Sequence, residues 1–229
     1  MSRASASALT PEPLFSEIVG CRKCPRLVEY REGMAPRASY AGQTYWRKPA
    51  PGFGDIGGRL MVIGLAPAAH GAQRTGRIFT GDASSRFLVS ALHSAGYANQ
   101  ALSESLDDGL EYDDCYLTAA LKCVPPGDKP TPGEVANCAP YLEEEIALMK
   151  NLKAVLALGG LAFKAYLRLL SGKGAPTKSL AFGHGAAYQI RGFPALYASY
   201  HPSPRNTNTG KLTQGMLVSV LRRIRGDLG

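Results

Sequence analysis

Cysteine, tryptophan and acidic residues are all scarce in this chain, and no apolar run approaches the ~18 residues that a membrane-spanning helix needs. There are five cysteines and one tryptophan in 229 residues. Five thiols are too few for a secreted disulfide scaffold of this length. The segment Met1 to Leu9 is small and polar, with one arginine and no apolar stretch, so it is not a secretory signal. A mobile tail over 1–9 and a cytoplasmic location are the expectations. No internal repeat is present, and the only low-complexity tract is Ala4–Ala8. The hydrophobic share of 45% excludes a largely disordered chain. The length suits one domain, expected to cover 1–229 and to act as a monomer.

Acids are outnumbered by bases, 18 to 26, which leaves a net charge of +8. A basic chain of this size fits a polyanionic partner such as nucleic acid or a membrane surface.

Glycine and proline are abundant and cluster in 33–58, 125–133 and 172–185. Apolar segments resume after each cluster, so these are long ordered loops. Thr10 and Pro11 predict an N-cap and first turn for a short helix to Val19, with Gly20 ending it. The run Arg59-Leu-Met-Val-Ile-Gly64 predicts a buried parallel strand. Asp82 can cap a helix whose Phe87, Leu88, Ala91, Leu92 and Ala95 share a face. Cys115 to Leu121 predicts a second strand. Thr131-Pro-Gly-Glu134 is a capping box, opening a helix with Val135, Cys138, Leu142, Ile146 and Met149 on one side. Ala154–Leu158 predicts a third strand, and Gly159-Gly160 leads into a helix to Leu170. Ala195–Ser199 predicts a fourth strand, and a last helix is expected from about Leu212 to Arg225.

Strands alternating with helices predict an α/β fold, a parallel sheet with helices on both faces. Ligands bind such sheets at the carboxyl ends of the strands. Two unusual loops stand at such ends: Gly64-Leu-Ala-Pro-Ala-Ala-His-Gly71, and His201-Pro-Ser-Pro-Arg-Asn206.

Cys21-x-x-Cys24 forms one close pair, and Cys123 and Cys138 form another across a strand end and a helix start. Two thiolate pairs suit either a tetrahedral zinc or an iron–sulfur cluster, and spacing alone does not choose between them. The C-x3-C-x2-C run of radical enzymes is missing. Cys115 lies within a strand and is expected to be an ordinary buried thiol.

The two loops, joined by Arg74-Thr-Gly-Arg-Ile-Phe-Thr-Gly-Asp82, closely resemble the two signature motifs of uracil-DNA glycosylases, best of all family 5, the type b enzymes of bacteria and archaea. The similarity spans roughly Cys21 to Gly210. The cysteine layout resembles the four ligands of a [4Fe–4S] cluster in families 4 and 5, which makes Cys21, Cys24, Cys123 and Cys138 the metal ligands. The resemblance implies a three-layer fold with a central four-stranded parallel sheet. It also implies hydrolysis of the N-glycosidic bond of uracil in DNA, and action on hypoxanthine or other deaminated bases.

The resemblance also assigns roles. Phe79 matches the aromatic on which uracil stacks. His201 matches the histidine that donates to the uracil O2. Backbone N–H groups of Gly64, Leu65 and Ala66 are further donors. Other glycosylase families hold water with an Asp or Asn in the first motif. Here that stretch, Leu65-Ala66-Pro67-Ala68, is apolar, as is characteristic of family 5, and Asp82 matches the aspartate implicated instead. Family 4 carries an asparagine where this chain has Ala119, so base selectivity is expected to relax. Asp128 is a further polar candidate. Arg205 is the expected wedge into the space left by a flipped base, with Pro202, Ser203 and Pro204 stiffening its loop. Arg74, Arg77, Lys122, Lys129 and Lys211 are candidate phosphate contacts, and His70 another. His93 is expected on a helix surface, and neither it nor His184 has an assigned role. The cluster is expected to staple the structure together without redox work. Two other readings exist: a non-catalytic iron–sulfur DNA-binding or damage-sensing module, and a zinc protein acting on a nucleotide or phosphate ester.

Overall fold

The structure is a computed structural model, and it describes residues 11–229. The elements in chain order are α1 (Glu12–Gly20), α2 (Pro25–Glu32), β1 (Phe53–Gly54), β2 (Leu60–Gly64), α3 (Ala72–Thr75), α4 (Ala83–Ser94), β3 (Cys115–Ala119) and α5 (Pro132–Leu148). They continue with β4 (Ala154–Leu158), α6 (Gly160–Gly172), β5 (Ala187–Tyr188), β6 (Ala195–Ser199), α7 (Pro204–Thr207) and α8 (Gln214–Leu228).

The sheet has six strands in the order β1-β3-β2-β4-β6-β5. Its centre is the expected parallel set β3, β2, β4 and β6. Each edge adds a two-residue antiparallel strand, β1 against β3 and β5 against β6, so the expectation of four strands is corrected to six. Short edge strands blunt an otherwise open template for strand addition. β1 lies inside a glycine- and proline-rich stretch and β5 just beyond one, and both are too short to show a period.

All four central strands are buried throughout. Alternate residues serve opposite faces, as the pleat requires. Leu60 and Val62 pack with Leu88 and Leu92 of α4 and with Leu217 and Leu221 of α8. Met61 and Ile63 pack with Leu142 of α5 and with Phe163 and Tyr166 of α6. A third cluster joins Leu14 and Ile18 of α1 and Leu27 of α2 to Leu121, Cys123 and Cys138.

Two of the three predicted caps form among the described residues. Asp82 Oδ1 accepts from Ser85 N at 2.7 Å, and Thr131 Oγ1 accepts from Glu134 N at 3.2 Å. The last helix starts at Gln214, where Thr213 caps it, and runs to Leu228, a shift of two or three residues from the expected bounds. The second strand stops at Ala119, where Ala120 and Leu121 turn to bond the carbonyls of Gly64 and Leu65. The Thr10 cap lies outside the described residues.

From β2 the chain moves to β3 on one side, and from β4 it moves to β6 on the other. The strand order therefore reverses between β2 and β4, and a crevice opens at their carboxyl ends.

Candidate active site

A cavity of about 950 Å³ occupies that crevice. Its walls come from three strand ends: Leu65 to Ala68 after β2, Leu158 to Ala162 around the end of β4, and Tyr200-His201 after β6. Phe79, Asp82, Asp128, Ser203, Pro204 and Arg205 complete the part legible in the sequence.

Phe79 sits in the left-handed region at φ 49°, a costly conformation for an aromatic residue. Two things hold it there. A β-carbon on Gly64 would lie 2.7 Å from Phe79 Cζ, so glycine at the end of β2 lets the ring rest on the strand. The next residue, Thr80, is buried and bonds Ser103 Oγ at 2.7 Å and Arg77 Nε at 2.8 Å.

Asp82 caps α4 through one carboxylate oxygen. The other, Oδ2, lies over Gly71, where any β-carbon would collide with it. Burial pushes the Asp82 carboxyl above the usual carboxylate range, against the pull of the Ser85 and Ser84 amides.

His201 follows β6, and its carbonyl accepts from Asn206 Nδ2 at 2.8 Å. Gly159, at φ 92°, passes so close that a β-carbon would stand 3.2 Å from His201 Cβ. Burial lowers the pKa of His201, and Asp128 across the cavity only partly opposes this. Burial thus favours the neutral imidazole, which can donate one N–H without carrying charge.

Several expected residues stand elsewhere. Gly64 and Ala119 pair in register on β2 and β3, are buried and do not reach the cavity wall. Pro202 is buried behind the loop it stiffens. Arg77 is not a phosphate contact: it is 2% exposed and its Nη2 meets Asp108 at 2.7 Å. Lys122 is likewise internal, its Nζ 2.6 Å from Glu145 Oε2 with both side chains buried. The ligand-facing charge is instead Arg205 and Lys211, the latter 4.7 Å over the Tyr200 ring. Lys129 is exposed, and so is His93. His70 bonds Tyr45 through Nδ1 at 2.8 Å, and His184 stacks on Tyr200. The third wall, Leu158 to Ala162 with Phe182, was missed; its one sequence signal was the Gly159-Gly160 pair.

Cys21, Cys24, Cys123 and Cys138 all border one small cavity between α1, α2 and α5. Among the described residues, no three His, Cys, Asp or Glu side chains close around a single ion. Arg31 Nη1 donates to Cys123 Sγ at 2.9 Å, Lys122 N to Cys138 Sγ at 3.3 Å and Asn137 Nδ2 to Cys24 Sγ at 3.6 Å. Arg31 is 3% exposed, and its Nε is buried without a partner. A buried guanidinium needs a counter-charge, and the Glu32 carboxylate is 3.9 Å off and half-exposed. Burial pushes the free Cys123 thiol up to about 11, outweighing the Arg31 charge and hydrogen bond that favour its ionisation. Cys115 is fully buried in β3 and away from the other four.

A model of the Uracil DNA glycosylase superfamily matches residues 51–225. A type-5 uracil-DNA glycosylase of Pyrobaculum aerophilum is 49% identical over 218 residues, covering 95% of this chain and 93% of that one. One of Thermus thermophilus is 45% identical over 211 residues, covering 92% and 94%. A type-4 uracil-DNA glycosylase of Pyrobaculum aerophilum is 30% identical over 197 residues, covering 84% and 82%. The chain belongs to the uracil-DNA glycosylase superfamily and, within it, to the type-5 family.

Proposed function

We propose that this protein excises uracil from DNA by hydrolysing the bond between the base and C1′ of the sugar, leaving an abasic site. The observation that carries this reading is one cavity holding an aromatic platform, a carboxylate and a buried imidazole. A base inside a duplex is out of reach of any such pocket, so the nucleotide must rotate out of the stack. Phe79 then supports its flat face. Arg205, exposed at the rim, fills the vacated space, with Ser203 and Pro204 setting its loop.

Cleavage leaves cationic character on the sugar and negative charge on the departing base. The His201 N–H meets the base oxygen where that charge grows; such a preorganised donor is typically worth about 3 kcal/mol. The Asp82 carboxylate faces the sugar, stabilises its positive charge and orients a water. Water oxygen forms the new bond to C1′, the C1′–N1 electron pair leaves with the base, and the released proton neutralises it.

Base selectivity is relaxed in this reading. The walls near Leu65 to Ala68 are apolar, and Asn206, an amide on the wall, spends its Nδ2 on the His201 carbonyl. A pocket without a bidentate reader rejects a wrong base weakly. The direct test uses end-labelled duplexes with one uracil, hypoxanthine or normal base, followed by alkali. Breaks at uracil and hypoxanthine, and none at normal bases, are expected. No break from protein with an intact metal site would overturn this reading in favour of the non-catalytic module.

Cys21, Cys24, Cys123 and Cys138 would hold a [4Fe–4S] cluster. What supports this reading is that all four cysteines border one cavity, with Arg31 donating to Cys123 Sγ inside it. The cluster's contribution is structural, tying α1 and α2 to β3 and α5. Cys123→Ser is expected to lose visible absorbance, bound iron and folding together. A colourless wild-type protein containing zinc would refute the cluster.

A further inference from the structure

We propose that Arg74 is a positioning residue that fixes the Asp82 carboxylate, and is not a DNA phosphate contact; this rests on the catalytic reading of Asp82. Arg74 lies on α3, at the start of the stretch that runs from the first loop to Asp82. Its Nε donates to the His70 carbonyl at 2.9 Å, its Nη1 to Gln43 Oε1 at 2.9 Å and its Nη2 to the Gly81 carbonyl at 3.0 Å. The guanidinium also lies 4.2 Å over the Tyr40 ring. Three of its five N–H donors are thus committed to three separate segments.

The Gly81 contact is the one that matters. Gly81 N donates to the Ser103 carbonyl at 2.8 Å, so the residue before Asp82 is held through both its polar groups. Gly81 is at φ 78°, and a β-carbon there would collide with Arg74 Nη2. The arginine therefore packs directly on the backbone that aims Asp82. A loop freed on that side keeps its helix cap but loses the angle at which Oδ2 meets the sugar. Lysine cannot replace the arginine. A single ammonium reaches no three acceptors spread across a planar fork.

The test is single-turnover cleavage of a uracil duplex by Arg74→Lys and Arg74→Ala, with DNA affinity measured across salt and melting followed in parallel. Both variants are expected to lose about ten- to a hundredfold in rate, as misplacement by an ångström does. The slope of log Kd against log salt should stay at the wild-type value. In an Asp82→Asn background, Arg74→Lys should add little further loss, because the two residues act as one unit. Three results overturn the proposal. One is a wild-type rate for Arg74→Lys, which a phosphate contact predicts because the charge is kept. The second is a slope shallower by about one in Arg74→Ala. The third is a full additional loss in the Asp82→Asn background. Arg74→Lys keeps charge and bulk, so the comparison survives even if Arg74→Ala unfolds. An active Asp82→Asn enzyme would instead remove the catalytic reading itself, a result distinct from a normal Arg74→Lys beside a dead Asp82→Asn.

Discussion

Asp82→Asn is expected to cut the single-turnover rate of uracil removal by about 10²- to 10⁴-fold while leaving the fold intact. The two effects separate because Asp82 does two jobs with two oxygens. Oδ1 caps α4 by accepting from Ser85 N, and an asparagine oxygen accepts equally well there. The negative charge facing the cavity has no neutral substitute. The pH dependence follows from the same burial. The carboxyl titrates above its ordinary 3.8, and only the ionised form can stabilise a sugar cation. The acid limb of kcat/KM should therefore lie above that value and disappear in Asp82→Asn.

Stability moves the other way. A carboxyl whose folded pKa is raised binds its proton more readily in the native state than in the unfolded one. Above that folded pKa it burdens the fold, and the burden lifts as pH falls through it. Asp82→Asn is thus expected to melt no lower than wild type at neutral pH, with any advantage shrinking in acid. A clear drop in melting temperature at neutral pH would mean that the cap, not the charge, is the main role of Asp82.

Much of the site was legible because its residues are local in sequence. The loop after β2 and the loop after β6 each carry their chemistry within a few positions, and Asp82 declares itself as a cap before an apolar helix. The four central strands are apolar runs, and each formed within two residues of its expected bounds. What could not be read depends on strand order. Leu158 to Ala162 became a wall only because β4 lies beside β2, where the winding reverses. No periodicity carries that information. Ala119 is a related case. Paired with Gly64 at the end of β3, it is buried in the core with Leu117 and Leu88 and does not form part of the cavity wall. The basic residues show the same limit in electrostatic form. A lysine or arginine looks alike in sequence whether it is solvated or buried, and the partners that bury Lys122 and Arg77 are 23 and 31 residues away.

Lys122 gives the second large effect. Lys122→Met is expected to destabilise the protein by about 3–5 kcal/mol, because it strands Glu145 as an uncompensated buried charge. Glu145 Oε2 accepts from Lys122 Nζ and from Thr118 Oγ1, both at 2.6 Å. Its Oε1 accepts from Gly52 N at 3.0 Å and Tyr116 Oη at 3.2 Å. A buried ion pair is weak evidence of net stabilisation, so the loss in Lys122→Met would reflect the orphaned carboxylate more than the lost attraction. That distinction is measurable. In Lys122→Met/Glu145→Gln the amide oxygen still accepts from Gly52 and Tyr116, its nitrogen can donate to the Thr118 hydroxyl, and no charge is left behind. The double variant should therefore recover part of the loss, a non-additivity of the kind contacting residues show. The urea midpoint at constant slope reads both variants. A double variant as unstable as the sum of the singles would mean that the network acts through packing alone. The consequence reaches the cysteines, since the backbone N–H of Lys122 donates to Cys138 Sγ and Cys123 is the next residue. For the cluster proposed above, Lys122→Met is expected to lose iron faster than wild type under a chelator, with Lys122→Met/Glu145→Gln between them.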